Sequence, residues 1–410
     1  MDQSITVPWK AWYGDEQFSL SFPGDWEVTV CAMDDTPNLT EKEIFEAFER
    51  PIGTATIRDL AKGKKSAAIV MDDMTRPTPG DVILKPVLAE LERGGISRDR
   101  TKIIFALGAH RPMVREDMIK KVGQEIYNTV DVMNHYPYEN LVDCGSSHIG
   151  TPIKVNRYFM ESDLKVSVSC IEPHEWAGFG GGAKNILPGI SGIETLAANH
   201  SMMAESYQGM TGKIEGNPLR ADIEDIAARI GLDVIANVVT TSARGIAGVF
   251  VGDMVQAHRA GVECARTVFA TPMVYDQDVV VLNAYPKDTE ITQISNAFNM
   301  AFLPEREVAR EDGYMVITSA CPEGRGFHSL VGHGARLVPK KEILGGLFKG
   351  RRAIIFSPHL NRFDMDAYFP QDVLLVNAWD DVIRFITERE KGAQKVAVFP
   401  TSPLQLPRLG

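Results

Sequence analysis

The strongest constraint on the fold is a rhythm of short apolar runs, each followed by a turn-rich loop and then a helix. Ser66–Met71 reads as a strand, Asp72–Gly80 as a loop and Asp81–Arg93 as a helix. Thr101–Leu107, Gly108–Pro112 and Val114–Val122 repeat that order, and Leu164–Cys170 starts it again before a glycine-rich loop. Strands alternating with helices predict a parallel sheet with helices on its faces. A helix over Asp253–Phe269 ends near Thr271-Pro272, which marks a boundary. Beyond it, Asp278–Leu282, Tyr314–Thr318, Ala353–Phe356, Val373–Val376 and Val396–Phe399 read as strands of a second unit. A chain of 410 residues exceeds one ordinary core. The expected fold class is therefore α/β, with two α/β domains, mainly parallel sheets and the active site in the interdomain cleft. The domains run over 1–271 and 272–410, and the last residues can pack back on the first. Phe18–Phe22 and Trp26–Cys31 predict an N-terminal hairpin or edge.

Bulk properties narrow the function. A formal charge of -11 argues against nucleic-acid or anionic-membrane partners, while leaving room for a local basic pocket that holds an anionic substrate. Apolar runs such as Val279–Leu282 are far too short to span a bilayer. The start, MDQSITVPWK, has no basic stretch followed by an apolar core, so no secretion signal is expected. The five cysteines are an odd number without a CxxC, which fits reduced thiols in a cytoplasmic protein. Oligomeric state stays open.

Four clusters fall just past expected strand ends, where open α/β sheets place ligands. Asp72-Asp73-Met74-Thr75-Arg76-Pro77 carries an arginine able to fork onto a carboxylate or phosphate; read alone, it is as readily a turn with a surface ion pair. Gly108-Ala109-His110-Arg111 sets a histidine where it can carry protons or simply hold the loop. Ile171–His200 brings His174, Lys184 and His200 together with Gly178, Gly180, Gly181 and Gly182, which let backbone approach a ligand closely. Neither a Walker loop nor a dinucleotide fingerprint fits this stretch. Lys184 is preceded by Ala183 and followed by Asn185, and His174-Glu-Trp-Ala separates the glycines from the strand. Ser191 and Glu194 match a capping box, predicting a helix from near Gly192 with Ile193, Leu196, Ala197 and His200 on its inward face. Tyr285-Pro286-Lys287-Asp288, with Gln293 and Asn296, opens the second unit; taken alone, it is an ordinary turn and helix start. His258 reads as structural, and His328 and His333 flank a glycine-bearing segment able to reach the cleft.

Taken together, the clusters resemble the lactate racemase family, enzymes that use a nickel-pincer nucleotide. The resemblance covers most of the chain in the family's order: D-x-T-R-P (Asp73 to Pro77), G-x-H-R (Gly108 to Arg111), H-x-x-A-G-F-G-G-G-A-K (His174 to Lys184), His200, and Y-P-x-D…Q (Tyr285 to Gln293). The third motif is long and the most specific. The resemblance implies a pyridinium nucleotide whose two sulfur-bearing arms and ring carbon grip nickel. Lys184 would tether one thiocarboxyl arm, His200 would be the protein's nickel ligand, and Asp73, Gly180, Gly181 and Gly182 would complete the cofactor contacts. The phosphate-binding residues stay open, between backbone amides of the glycine loop and a helix N-terminus. His110 and His174 would flank the substrate as an acid/base pair, Arg76 would hold its carboxylate, and Tyr285 and Gln293 would add contacts from the second domain.

The implied chemistry is inversion of a small-molecule 2-hydroxy acid. Its Cα–H is a poor acid, so leaving as hydride is easier while a histidine takes the hydroxyl proton. The nickel-bound ring accepts the hydride, the resulting 2-oxo acid rotates, and hydride returns to its other face. One position departs from the family: Q-x-x-K is here Gln293-Ile294-Ser295-Asn296. Losing a charge-assisted contact weakens binding of a small acid by roughly 1.5–3 kcal/mol. A neutral amide suits a hydroxyl-rich chain. The expected substrate is therefore a larger 2-hydroxy acid, such as a sugar acid, and the reaction C2 epimerisation. The competing readings are a dehydrogenase with freely exchanging NAD and a carrier that binds the cofactor without turnover.

Overall fold

The computed structural model describes residues 2–201, 210–303, 306–330, 348, 350–366 and 368–408. The chain forms two compact units. One is Asp35–Val268; the other joins the residues up to Asp34 to those from Phe269 onward. The second boundary falls close to Thr271-Pro272, but the first 34 residues belong with the C-terminal half, not with the N-terminal domain expected over 1–271.

Burial explains that assignment. β1 (Gln3–Trp9) and β2 (Glu16–Phe22) form an antiparallel hairpin, followed by β3 (Glu27–Val30). Val7, Trp9, Leu20, Phe22 and Trp26 are buried with Val279, Val281, Val316, Phe356 and Trp379. Trp9 stacks on Phe356 with ring centroids 5.8 Å apart, and Phe22 meets Trp379 edge-on at 5.4 Å. Each large apolar side chain withdrawn from water contributes about 1.5–3 kcal/mol, which ties the hairpin to this partner.

The unit Asp35–Val268 is built on β4 (Ala67–Asp72), β5 (Thr101–Ala106) and β6 (Asp131–Asn134). A separate ribbon of β7 (Leu141–Ser146) and β8 (Pro152–Asn156) precedes β9 (Leu164–Cys170). Past β9 a small ribbon, β10 (Pro173–His174) with β11 (Gly178–Phe179), folds the chain back on itself. β12 (Val234–Thr240) and β13 (Ile246–Gly252) complete the main sheet, in the order β13-β12-β9-β4-β5-β6. Only β13 runs antiparallel to its neighbour. β4 and β12 are buried along their whole length, as parallel strands covered on both faces must be.

In the other unit, β14 (Ala270–Thr271) precedes β15 (Gln277–Asn283), β16 (Ala309–Thr318), β17 (Arg352–Phe356), β18 (Leu374–Val376) and β19 (Lys395–Phe399). These run parallel in the order β18-β17-β16-β15-β19-β3. β20 (Leu406–Pro407) returns to pair with β14, at the start of this half. The mainly parallel α/β architecture expected from the strand–helix rhythm is thus the one observed. Among the described residues, no helix is long and apolar enough to cross a membrane.

Candidate active site

In the unit Asp35–Val268 the chain adds β5 and β6 on one side of β4, then β9, β12 and β13 on the other. The strand order therefore reverses between β4 and β9, the kind of switch point beyond whose carboxyl ends open α/β sheets seat their ligands in a crevice. Asp72–Pro77 leaves β4 there, Gly108–Arg111 follows β5, and Glu172–His174 follows β9. Asn185 bridges the two strands: its side-chain amide donates to Val70 O at 3.2 Å on β4 and to Val168 O at 2.8 Å on β9. Its neighbour Lys184 is half-buried in the short 3-10 turn Gly182–Asn185.

Asp73 and His110 meet directly, Oδ2 to Nδ1, at 2.7 Å. The other Asp73 oxygen accepts from the Thr75 amide at 3.0 Å and the Thr75 hydroxyl at 2.5 Å. Burial alone would raise this carboxyl; the His110 ring, by charge and hydrogen bond, then Arg76 and Thr75, hold it well below the usual carboxylate range. An ionised carboxylate only accepts, which assigns the ring hydrogen to Nδ1 and makes Nε2 the basic nitrogen of His110. Asp73, expected among the cofactor contacts, is here the partner of His110.

Arg76 Nε lies 3.0 Å from Glu172 Oε1, and Glu172 is fully buried. Burial would lower the guanidinium, but Glu172, then Asp73, keep its affinity for the proton above the ordinary value. Its Nη1 donates to the Thr75 hydroxyl at 2.9 Å. Glu172 was not singled out in the sequence. The available signal was an acid two residues past the end of a strand.

His174 takes the opposite tautomer to His110. Its Nδ1 accepts from the amides of Trp176 at 3.1 Å and Ala177 at 3.2 Å, so in this state the hydrogen sits on Nε2. The Trp176 ring in turn meets His200 edge-on, with centroids 4.8 Å apart. Trp176, also absent from the sequence reading, thereby links two expected site residues. The helix carrying His200 is Ile193–Ser201; its buried residues are Ile193, Thr195, Leu196 and Asn199, with His200 half-buried at the margin of that face. The Ser191 hydroxyl donates to Ile186 O at 2.7 Å, and Glu194 pairs with Lys154 at 2.6 Å.

The glycine loop is held from behind. Arg220, fully buried, donates to the carbonyls of Ala177, Phe179 and Gly181. His258 Nε2 donates to Gly180 O at 2.8 Å, and its Nδ1 accepts from Arg259 at 2.9 Å. His258 is structural, as expected, but its task is to hold this loop. The amides of Gly180 and Gly182 donate to Glu172 O and Asn237 Oδ1, each at 2.7 Å. These two amides are therefore committed inside the protein, not offered to a phosphate. Gly181 has φ +74°, and a Cβ there would lie 2.8 Å from Ile171 Cγ1. Close packing against the strand end thus gives this glycine a reason of its own.

The remaining expected residues lie in the other unit. The Tyr285 hydroxyl donates to Asp15 at 3.0 Å, in the tip of the β1–β2 hairpin. Asp288 accepts from the amides of Lys10 at 2.8 Å and Ala11 at 3.0 Å in the same tip. Gln293 and Asn296 are buried, and the Asn296 amide donates to Gln293 O at 2.8 Å. His328 Nδ1 accepts from the Leu330 amide at 3.3 Å, and His333 lies outside the described residues.

Comparison with known proteins agrees with the motifs. The profile of the lactate racemase N-terminal domain matches residues 13–212. A lactate racemase of Thermoanaerobacterium thermosaccharolyticum is 34% identical over 70% of this chain and 68% of its own length. A lactate racemase of Lactiplantibacillus plantarum is 31% identical over 88% of this chain and 90% of its own. The solved structure of the lactate racemase apoprotein from T. thermosaccharolyticum matches with a TM-score of 0.76 at 24% identity, covering 99% of this chain and 100% of that one. A crystal structure of a protein from Thermotoga maritima matches with a TM-score of 0.65 at 16% identity, covering 90% and 98%. The two structures speak for the fold; the two sequence relatives, at their identity and coverage, show that the chain belongs to the lactate racemase family.

Proposed function

We propose that this protein inverts the C2 stereocentre of a 2-hydroxy acid by reversible hydride transfer with a nickel-pincer nucleotide. The observation that carries the reading is the Asp73–His110 pair past the ends of β4 and β5. Its carboxylate directs the His110 hydrogen to Nδ1, leaves Nε2 to take a hydroxyl proton, and stabilises the imidazolium that results. His174 serves the opposite enantiomer; as a base it must shift its hydrogen to Nδ1 and release two backbone amides, a change His110 does not need. Arg76, held on one edge by Glu172, binds the substrate carboxylate. Tyr285, Gln293 and Asn296 contribute further substrate contacts, and the neutral Asn296 favours a hydroxyl-rich acid over lactate. When bound, the nucleotide supplies an electron-poor centre that accepts the Cα hydrogen with its electron pair and returns it.

The residues present fit such a group. Among the described residues, no three His, Cys, Asp or Glu side chains converge to hold a bare ion. The expected donors are one imidazole, His200, and one amine, Lys184. That set suits a metal that brings sulfur and carbon ligands with it. All five cysteines are free thiols, which supports the reducing, cytoplasmic setting expected for the protein.

The test uses protein produced alongside the cofactor-building pathway. Metal analysis and intact-mass spectrometry should find nickel and a bound nucleotide; their joint absence would remove the cofactor from the account. Lactate and aldonic acids deuterated at C2 should then be compared. Inversion with the label largely retained is expected, and label lost to solvent from the outset would mean a carbanion route. Rapid turnover of lactate with none of the aldonic acids would overturn the substrate assignment.

A further inference from the structure

Lys121 is fully buried on the helix Arg115–Val122, and neither the family resemblance nor the mechanism above gives it a task. An ammonium carries three N–H donors. Two of them go to the Asp73 carbonyl at 2.8 Å and the Arg76 carbonyl at 2.9 Å, while the nitrogen lies 2.9 Å from Asp72 Oδ1 as an ion pair without hydrogen-bond geometry. The two carbonyls are the ends of a single turn, which the Arg76 amide closes on Asp73 O at 3.2 Å. One side chain therefore grips both ends of the turn that presents Asp73 to His110 and Arg76 to Glu172. Asp72 anchors this grip to the sheet. Its second oxygen accepts from the Thr78 hydroxyl at 2.6 Å and from the Cys170 amide of the neighbouring strand β9 at 3.1 Å.

Simple packing does not call for this arrangement. A buried ion pair carries a desolvation penalty that apolar side chains of similar volume avoid, and such replacements are often neutral or stabilising. What an apolar residue cannot do is hold two carbonyls of a turn at fixed places. We propose that Lys121, with Asp72 as its counter-ion, is a positioning residue that fixes the 73–76 turn, so that Asp73 stays aligned with His110 Nδ1 and Arg76 keeps its edge on Glu172. The kinetic consequence rests on the racemase reading above; the consequence for the His110 ring does not.

Two variants separate positioning from support. Lys121→Met leaves Asp72 buried without its cation. Lys121→Met combined with Asp72→Asn removes that imbalance but returns no donor to the two carbonyls. Urea unfolding reports stability, nitrogen-15 NMR of the histidine rings on cofactor-free protein reports the His110 tautomer, and kcat and KM are read on loaded enzyme. The single variant should lose stability and the double variant should recover most of it. Both should lose the single Nδ1–H signature of His110, and kcat should fall about 10²-fold, the scale of a small misplacement in an active site. A double variant with recovered stability, the native ring signature and native kcat would overturn the proposal, and it decides the matter even if the single variant does not fold. Should loaded native protein invert no 2-hydroxy acid, the racemase reading fails by itself, while the ring signatures still judge Lys121.

Discussion

Asp73 keeps its charge in the interior because a histidine, an arginine and a threonine surround it. An amide in its place could still accept from Thr75 but would no longer dictate the hydrogen on His110 Nδ1. Asp73→Asn is therefore expected to lower kcat by about 10²–10⁴-fold with a native circular dichroism spectrum, the pattern seen when a carboxylate that orients a catalytic histidine is neutralised. At this scale the sequence shows which residues matter more readily than what they touch. Asp73, His110, Arg76 and Lys184 stand in motifs, but the motifs lie far apart in the chain and carry no record of the 2.7 Å contact between the first two. Trp176 sits inside, and Glu172 and Asn185 just outside, a motif whose glycines, histidine and lysine draw the attention. Lys121 is hidden in another way. Asp117 and Lys121 are spaced like a surface ion pair on a helix, yet Asp117 pairs with Arg111 at 2.7 Å and Lys121 turns inward.

At the scale of elements, the glycine loop is hydrogen-bonded in place beyond the carboxyl end of a central strand. Its carbonyls face Arg220 and His258, and two of its amides face Glu172 and Asn237. Gly181→Ala would add a left-handed alanine and a contact at 2.8 Å, for an expected loss of about 2–4 kcal/mol in urea unfolding. Gly216→Ala is the control: φ is +70° there too, but nothing lies within 4 Å, so only the conformational cost of about 1–2 kcal/mol applies. Strands followed by helices were legible because apolar runs and amphipathic runs alternate. β12 and β13 were not, since they are joined directly as an antiparallel pair and break that alternation. The ribbon β7–β8 is partly exposed and leaves little pattern, and the strands of β10–β11, though largely buried, are only two residues long.

For the whole molecule, acid should act on the two units with opposite sign. In Asp35–Val268, burial pushes His135 down to about 4 from 6.5, only partly opposed by its bond to Ser191 O. His258 is lowered too, by burial and then by Arg220. As pH falls through the window from 6.5 to 4, the unfolded chain binds a proton that folded His135 refuses, so this unit loses up to about 3 kcal/mol. In the other unit, burial raises Asp288 to about 6 from 3.8, against the pull of the Ala11 and Lys10 amides. There the folded state binds the extra proton first, so the same fall in pH adds stability of similar size. Hydrogen exchange at pH 7 and pH 4.5 should show protection falling in β4, β9 and β12 while β15 and β16 hold or gain; equal loss in both would refute this. The division that makes the prediction possible was only half legible. The junction near Thr271 has a local signature, whereas the bond between the hairpin and strands more than 250 residues later has none.

That long-range pairing has a consequence for biosynthesis. A ribosome releases Trp9, Phe22 and Trp26 long before it makes Phe356 and Trp379, the aromatic partners that cover them. The Asp35–Val268 segment contains every strand of its own sheet and can close while translation continues. The nascent chain thus trails an oily leading end until its final third emerges, and that interval is when a chaperone would find the most to hold.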